Sequence, residues 1–124
     1  MILDAGFLIS VDRGDEAARA FVAAASRQGT KLRTTHPVVG QVWRNGGRQV
    51  RLAKFLKGFE ALPMDDGKLA GQLLAASGTD DVVDAHLVAL ALRTGDSVLT
   101  GDVGDLTRVA TAIGTSAPVI HGWP

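Results

Sequence analysis

Three aspartates stand where solubility alone does not account for them. Asp4 follows the apolar pair Ile2-Leu3, Asp102 follows Val98-Leu99-Thr100-Gly101, and Asp84 lies inside the apolar run from Val82 to Leu90. An unpaired carboxylate buried on so apolar a helix is costly, so a cation or strong hydrogen-bond donors must be close to it. Carboxylates that converge without thiolates or clustered imidazoles suit a hard, oxygen-seeking ion, Mg²⁺ or Mn²⁺. Such an ion polarises a phosphodiester and acidifies water, which carboxylates alone cannot do to a polyanion. A purely structural reading competes with this one. Asp102 can cap a helix with Asp105 in its acidic first turn, and Asp80 and Asp81 can cap the helix that follows them. Asp81 and Asp84 are three apart and share a helix face. Asp4 has the least structural reason to be acidic, because a helix directly after a strand does not require it.

Other chemistries find no footing. The chain has no cysteine, which excludes disulfides, thiolate metal sites and cysteine nucleophiles. His36, His86 and His121 share no ligand spacing, and His86 lies two residues from Asp84, on another helix face. Gly46-Gly47 is not followed by the Lys-Ser/Thr of a phosphate loop, and no G-x-G-x-x-G follows the first strand. The serines lack a nucleophile-elbow context. A receiver-like acidic pocket would want a Lys near its last strands, and no base lies between Gly95 and Leu106.

The elements that must position these acids follow from the apolar pattern. Short strands are expected at Ile2-Leu3, Lys31–Thr34, Phe59–Pro63, Val98–Thr100 and Pro118–Ile120. Helices are expected over Gly6–Val11, Asp15–Gln28, from Pro37 through Trp43, Arg48–Lys57, Asp65–Ala76, Asp81–Arg93 and Asp102–Ile113. Short apolar strands alternating with helices predict an α/β fold with a parallel sheet, which places Asp4 and Asp102 at carboxyl ends of strands, where such folds bind ligands. The 124 residues, 46% apolar, suit one domain over 1–124, with Trp43 and the phenylalanines at 7, 21, 55 and 59 as core or dimer contacts. No apolar run nears the roughly 20 residues of a membrane span, the amino terminus is no signal peptide, and a cysteine-free chain is at home in the cytoplasm.

Charge is balanced, 13 bases against 13 acids, but it is segregated. From Ala17 to Phe59 there are bases and no acids, whereas the chain from Glu60 onward is mainly acidic. Folded together, these regions could set a basic wall beside an acidic pocket, or simply form solvated faces. Arg44, Arg48 and Arg51 recur at helical steps and would form one stripe suited to phosphate contacts, if Gly46-Gly47 does not break the helix. Lys54 and Lys57 extend it. There is no tyrosine and no aromatic interleaving to stack bases.

Four blocks in order resemble the PIN-domain nucleases, and within them the VapC toxins of bacterial toxin–antitoxin pairs. They are Ile2-Leu3-Asp4-Ala5; Thr34-Thr35-His36-Pro37-Val38-Val39 leading to Gln41-Val42-Trp43-Arg44; Asp81-Val82-Val83-Asp84-Ala85; and Leu99-Thr100-Gly101-Asp102 with Asp105-Leu106 behind. The resemblance spans essentially the whole chain. It implies a three-layer α/β/α domain with a short-stranded, mainly parallel sheet. The implied activity is that of a Mg²⁺- or Mn²⁺-dependent endoribonuclease cutting structured RNA, transfer or ribosomal. Asp4, Asp84 and Asp102 would hold one or two ions, with Asp81 and Asp105 auxiliary. A small antitoxin protein would be the partner, and the chain would form a homodimer.

One position departs from the pattern: Gln41 stands where the family usually carries Glu. Gln keeps the carbonyl oxygen and loses the charge, so it can orient water but binds a cation less well and cannot act as a base. The resemblance makes Arg44 the best substrate contact, with Arg48 next. Gln41 also admits a second reading, a catalytically weak protein of this fold that acts by occupying RNA or a partner.

Overall fold

The computed structural model describes residues 1–124, apart from the side chain of Thr115. The chain alternates strands and helices: β1 (Ile2–Leu3), α1 (Ala5–Arg13), α2 (Glu16–Arg27), β2 (Arg33–Thr35), α3 (His36–Val42), α4 (Val50–Lys57), β3 (Glu60–Leu62), α5 (Gly67–Ser77), α6 (Val82–Thr94), β4 (Val98–Thr100), α7 (Val103–Thr111) and β5 (Ile120–Gly122). A single turn of 3₁₀ helix, Gly114–Ser116, precedes β5.

All strand pairs are parallel, in the order β3-β2-β1-β4-β5. The chain moves outward from β1 to β3, then crosses back to β4 and β5. Crossovers of one hand therefore put α1–α4 on one face and α5–α7 on the other, and helices pack within those two sets. The order reverses between β1 and β4. At such a switch point the flanking connections diverge and leave a crevice at the carboxyl edge of the sheet.

The core explains the element choice. Ile2, Leu3, Val98 and Leu99 are buried on both faces of the sheet, the pattern expected of central parallel strands. Every residue of α6 from Ala85 to Ala91 is buried, so this helix is apolar all round because the sheet and its neighbours enclose it. Burying one side chain such as Leu87 contributes about 1.5–3 kcal/mol.

Two expectations change. The expected fifth strand at Pro118–Ile120 begins two residues later, at Ile120. The break expected at Gly46-Gly47 is present and extends further, because the helix expected from Arg48 starts only at Val50. α3 ends at Val42 and α4 begins at Val50, leaving Arg44 and Arg48 on the intervening loop and only Arg51 on α4. Gln49 closes that loop: its Oε1 accepts from the backbone N–H groups of Arg44 (2.7 Å) and Asn45 (2.9 Å), while its Nε2 donates to the Val42 carbonyl (2.9 Å).

Candidate active site

β1 is only two residues long because Asp4 ends it. The Asp4 N–H still donates to the Leu99 carbonyl at 2.9 Å, and its side chain then caps α1. Oδ1 accepts from the Ala5 N–H (2.7 Å) and Oδ2 from the Thr100 hydroxyl (2.7 Å), so both oxygens are held. The carboxylate is 7% exposed. The structural role that the sequence reading withheld from Asp4 is therefore present: it stands at the N-cap of α1 and accepts from the first N–H of that helix.

The other acids arrive on helix starts. Asp81 caps α6, accepting from the N–H groups of Val83 (2.9 Å) and Asp84 (3.2 Å), while Asp80 stays exposed in the preceding loop and does not cap. Asp84 lies in the first turn of α6, half-buried. Asp102 caps α7 through the Asp105 N–H (3.4 Å). A helix N-terminus carries partial positive charge, so three helix starts can share the cost of gathering acids.

These residues meet at the switch point. A cleft of about 350 Å³ is lined by Asp4, Ala5, Gly6, Gln41, Asp81, Asp84, Gly101, Asp102 and Asp105. Five carboxylates and one carboxamide thus face one space. No base lines it, so the expected basic wall does not form here. Arg44 and Arg48 stand outside it. The Arg44 guanidinium donates instead to the carbonyls of Gly40 (3.2 Å) and Trp43 (2.7 Å), at the end of α3. Arg51 and Lys54 line a different groove, of about 680 Å³, between α2 and α4.

Electrostatics register the crowding. Burial, and then the charges of Asp81, Asp4, Asp105 and Asp102, push the Asp84 carboxyl up to about 7. Asp105 is also raised, by hydrogen bonding and charge from Asp102. Among the described residues, no three His, Cys, Asp or Glu side chains stand close enough to hold one ion by themselves. The donor set nevertheless fits a hard divalent cation: it is all oxygen, it is anionic, and its most buried members lack a counter-charge. Mg²⁺ keeps several waters and takes one or two carboxylates, so a wider spacing is compatible with it.

Sequence reasoning missed Thr100. Its buried hydroxyl donates to Asp4 and accepts from the Asp102 N–H (3.0 Å), joining two acids that lie 98 positions apart. The available signal was a hydroxyl residue ending a strand directly before Gly-Asp.

Comparison with known proteins agrees with this geometry. No curated protein matches in sequence. Among solved structures, the chain is similar to VapBC2 from Rickettsia felis, crystallised bound to a DNA fragment from their promoter. The TM-score is 0.70 at 12% identity, covering 99% of this chain and 98% of that one. At that identity the likeness is one of fold. The family model of the PIN domain matches residues 1–117. With nearly the whole chain matched and the acids gathered at the switch point, this protein belongs to the PIN domain family.

Proposed function

We propose that the protein is a divalent-cation-dependent endoribonuclease that cleaves structured RNA, transfer or ribosomal, as the toxin of a toxin–antitoxin pair. The observation that carries this reading is the meeting of Asp4, Asp84 and Asp102 with Gln41 in one cleft at the switch point of the sheet. Asp4, Asp84 and Asp102 would hold Mg²⁺ or Mn²⁺, with Asp81 and Asp105 assisting. A bound ion supplies charge neutralisation at a phosphodiester and a more acidic water.

The chain's own residues supply the rest. Asp4, fixed at both oxygens, sets one corner of the cleft. Asp84, pushed up to about 7 by burial and its acidic neighbours, is the carboxyl whose ionisation a bound cation would favour most. Gln41 is exposed at the rim and can orient water through its amide, but cannot take a proton. Arg44 follows α3 directly and, with Arg48, would contact phosphates flanking the cut.

The partner would be an antitoxin, and the Rickettsia neighbour is itself a VapBC assembly. The groove between α2 and α4 supports this: Val11, Ala18, Val22 and Phe55 give it an apolar lining, and Arg19, Arg51 and Lys54 give it positive charge, which suits an acidic amphipathic segment. The reading takes residues 1–124 as one domain, acting as a homodimer in the cytoplasm. No helix among the described residues is long and apolar enough to cross a membrane.

One observation favours a second reading. Gln41 contributes no charge at a cleft where, among the described residues, no three acids close on one point, as in a weak catalyst that acts by binding RNA or a partner. A labelled total-RNA pool with Mg²⁺, Mn²⁺ or EDTA separates the two. Discrete EDTA-sensitive fragments, absent with Asp4→Asn, support the nuclease. Cleavage only by Gln41→Glu means a site attenuated at one residue. Silence from both, with the protein folded, leaves the binding role.

A further inference from the structure

Residues beyond the segment matched by the family model tie the cleft together from behind. β5 lies parallel to β4 with Gly122 beside Thr100, and the next residue, Trp123, donates its N–H to the Thr100 carbonyl at 2.7 Å. The indole N–H donates to Ser10 Oγ on α1 at 3.0 Å. Its ring packs edge-to-face on Phe7 of α1 (4.8 Å, 72°) and on Phe21 of α2 (5.5 Å, 75°). One side chain therefore grips the helix that begins at Asp4, while its backbone grips the strand that ends at Thr100.

Between these grips the β4–α7 turn is closely packed, most tightly on its α1 side and at Gly122. A Cβ on Gly101 would stand 3.4 Å from the Trp123 carbonyl oxygen, and one on Gly6 would stand 3.2 Å from the Gly101 nitrogen. One on Gly122 would meet Val103 Cγ2, in the first turn of α7, at 3.2 Å. The turn that carries Asp102 is thus pressed between the first turn of α1 and the backbone of Trp123. Thr100, held by Trp123 at its carbonyl, presents its hydroxyl to Asp4 and to the Asp102 N–H.

We propose that Trp123 is a positioning residue for the acidic cleft, clamping the Thr100–Asp102 turn against α1 and thereby setting the separation of Asp4 and Asp102. Trp123 does not line the cleft and acts through α1 on one side and the Thr100–Gly101 backbone on the other. Its consequence for a bound cation rests on the reading of the cleft as a divalent-cation site. Ligands that must converge on one ion lose affinity when their supporting contacts loosen.

The test compares Trp123→Ala, Trp123→Phe and Ser10→Ala with Phe59→Leu, which trims the same aromatic cluster where Phe59 stacks on Phe55. Two quantities are read, amide hydrogen exchange at Asp102 without metal and Mn²⁺ affinity by calorimetry. Trp123→Ala is expected to speed exchange at Asp102 and weaken Mn²⁺ binding about tenfold, the usual scale for a lost supporting contact. Trp123→Phe keeps the ring packing and is expected to recover most of the affinity. Phe59→Leu, matched for loss of thermal stability, is expected to leave both readings near wild type.

Unchanged Asp102 exchange and Mn²⁺ affinity in Trp123→Ala would overturn the proposal. So would an equal loss in Phe59→Leu, which would mean general loosening. Should Trp123→Ala not fold, Trp123→Leu, which loses both the ring packing and the Ser10 bond, takes its place with the same expected losses, and a wild-type profile in it overturns the proposal. Wild type that binds no Mn²⁺, with the exchange difference present, would overturn the metal reading of the cleft and leave the clamp standing.

Discussion

At the amino edge of the sheet, Asp96 accepts hydrogen bonds from Arg33 and the Met1 ammonium, and Glu60 and Lys31 complete a mixed network. At the carboxyl edge, Asp84 faces four other carboxylates and no base lines the cleft. Both aspartates are partly buried, yet they titrate in opposite directions. Burial opposes ionisation of Asp96, but Arg33 and the ammonium hold its carboxyl below the usual range. Burial and the neighbouring acids take Asp84 to about 7. The amino edge is built to be stable as it stands. The carboxyl edge sacrifices stability to keep an unneutralised pocket, the usual mark of a functional site.

The largest expected effect is at the cleft. Asp4→Asn should cut EDTA-sensitive RNA cleavage to about a hundredth or less while circular dichroism stays native. Cleavage near wild type would remove the distinction between the two edges. Asp96→Ala should cost about 3 kcal/mol in urea unfolding, because it leaves the Arg33 guanidinium, 18% exposed, without its main partner. Asp84→Asn should do the reverse in metal-free buffer at pH 8. It should stabilise by about 1 kcal/mol, a figure discounted because the group is half in solvent.

The pH dependence sharpens the same contrast. Folded Asp84 keeps a proton that the unfolded chain gives up, so its contribution is present at low pH and is lost as pH rises from about 4 to about 7. Asp96 has the opposite sign: its contribution is present above the ordinary carboxylate range and is lost as pH falls through its lowered pKa. Thermal melts in EDTA should therefore show that Asp84→Asn removes a downward slope between pH 4 and 7, which Asp96→Ala leaves in place. The smallest effect is expected at Arg44→Ala. RNA binding should weaken several-fold with its salt slope reduced by about 1, and Mn²⁺ affinity should not move.

Much of this was legible from the chain. The Ile2-Leu3 and Val98–Thr100 strands were readable because short apolar runs between polar punctuation admit little else. The acids at their ends were therefore readable too, as was the apolar α6 with Asp84 at its start. What failed was non-local or made by side chains. Gln49 folds the 43–49 loop with its own amide, which carries the break expected at Gly46-Gly47 past Arg48, where a helix was expected. Capping by Asp4 was undervalued because strand and helix were read as separate elements, whereas one aspartate ends the first and starts the second. Trp123 gave no local signal, since its partners lie on α1 and β4.

The bond between Thr100 and Asp4 joins residues 96 positions apart. A growing chain can form α1 and α2 early, but it has no acidic cleft until synthesis has passed β4 and the crossover to β1 has closed. Contacts of such long sequence separation form late and slowly. The acidic cleft is therefore the last part of the carboxyl edge to close, since both of its central strands must pair first.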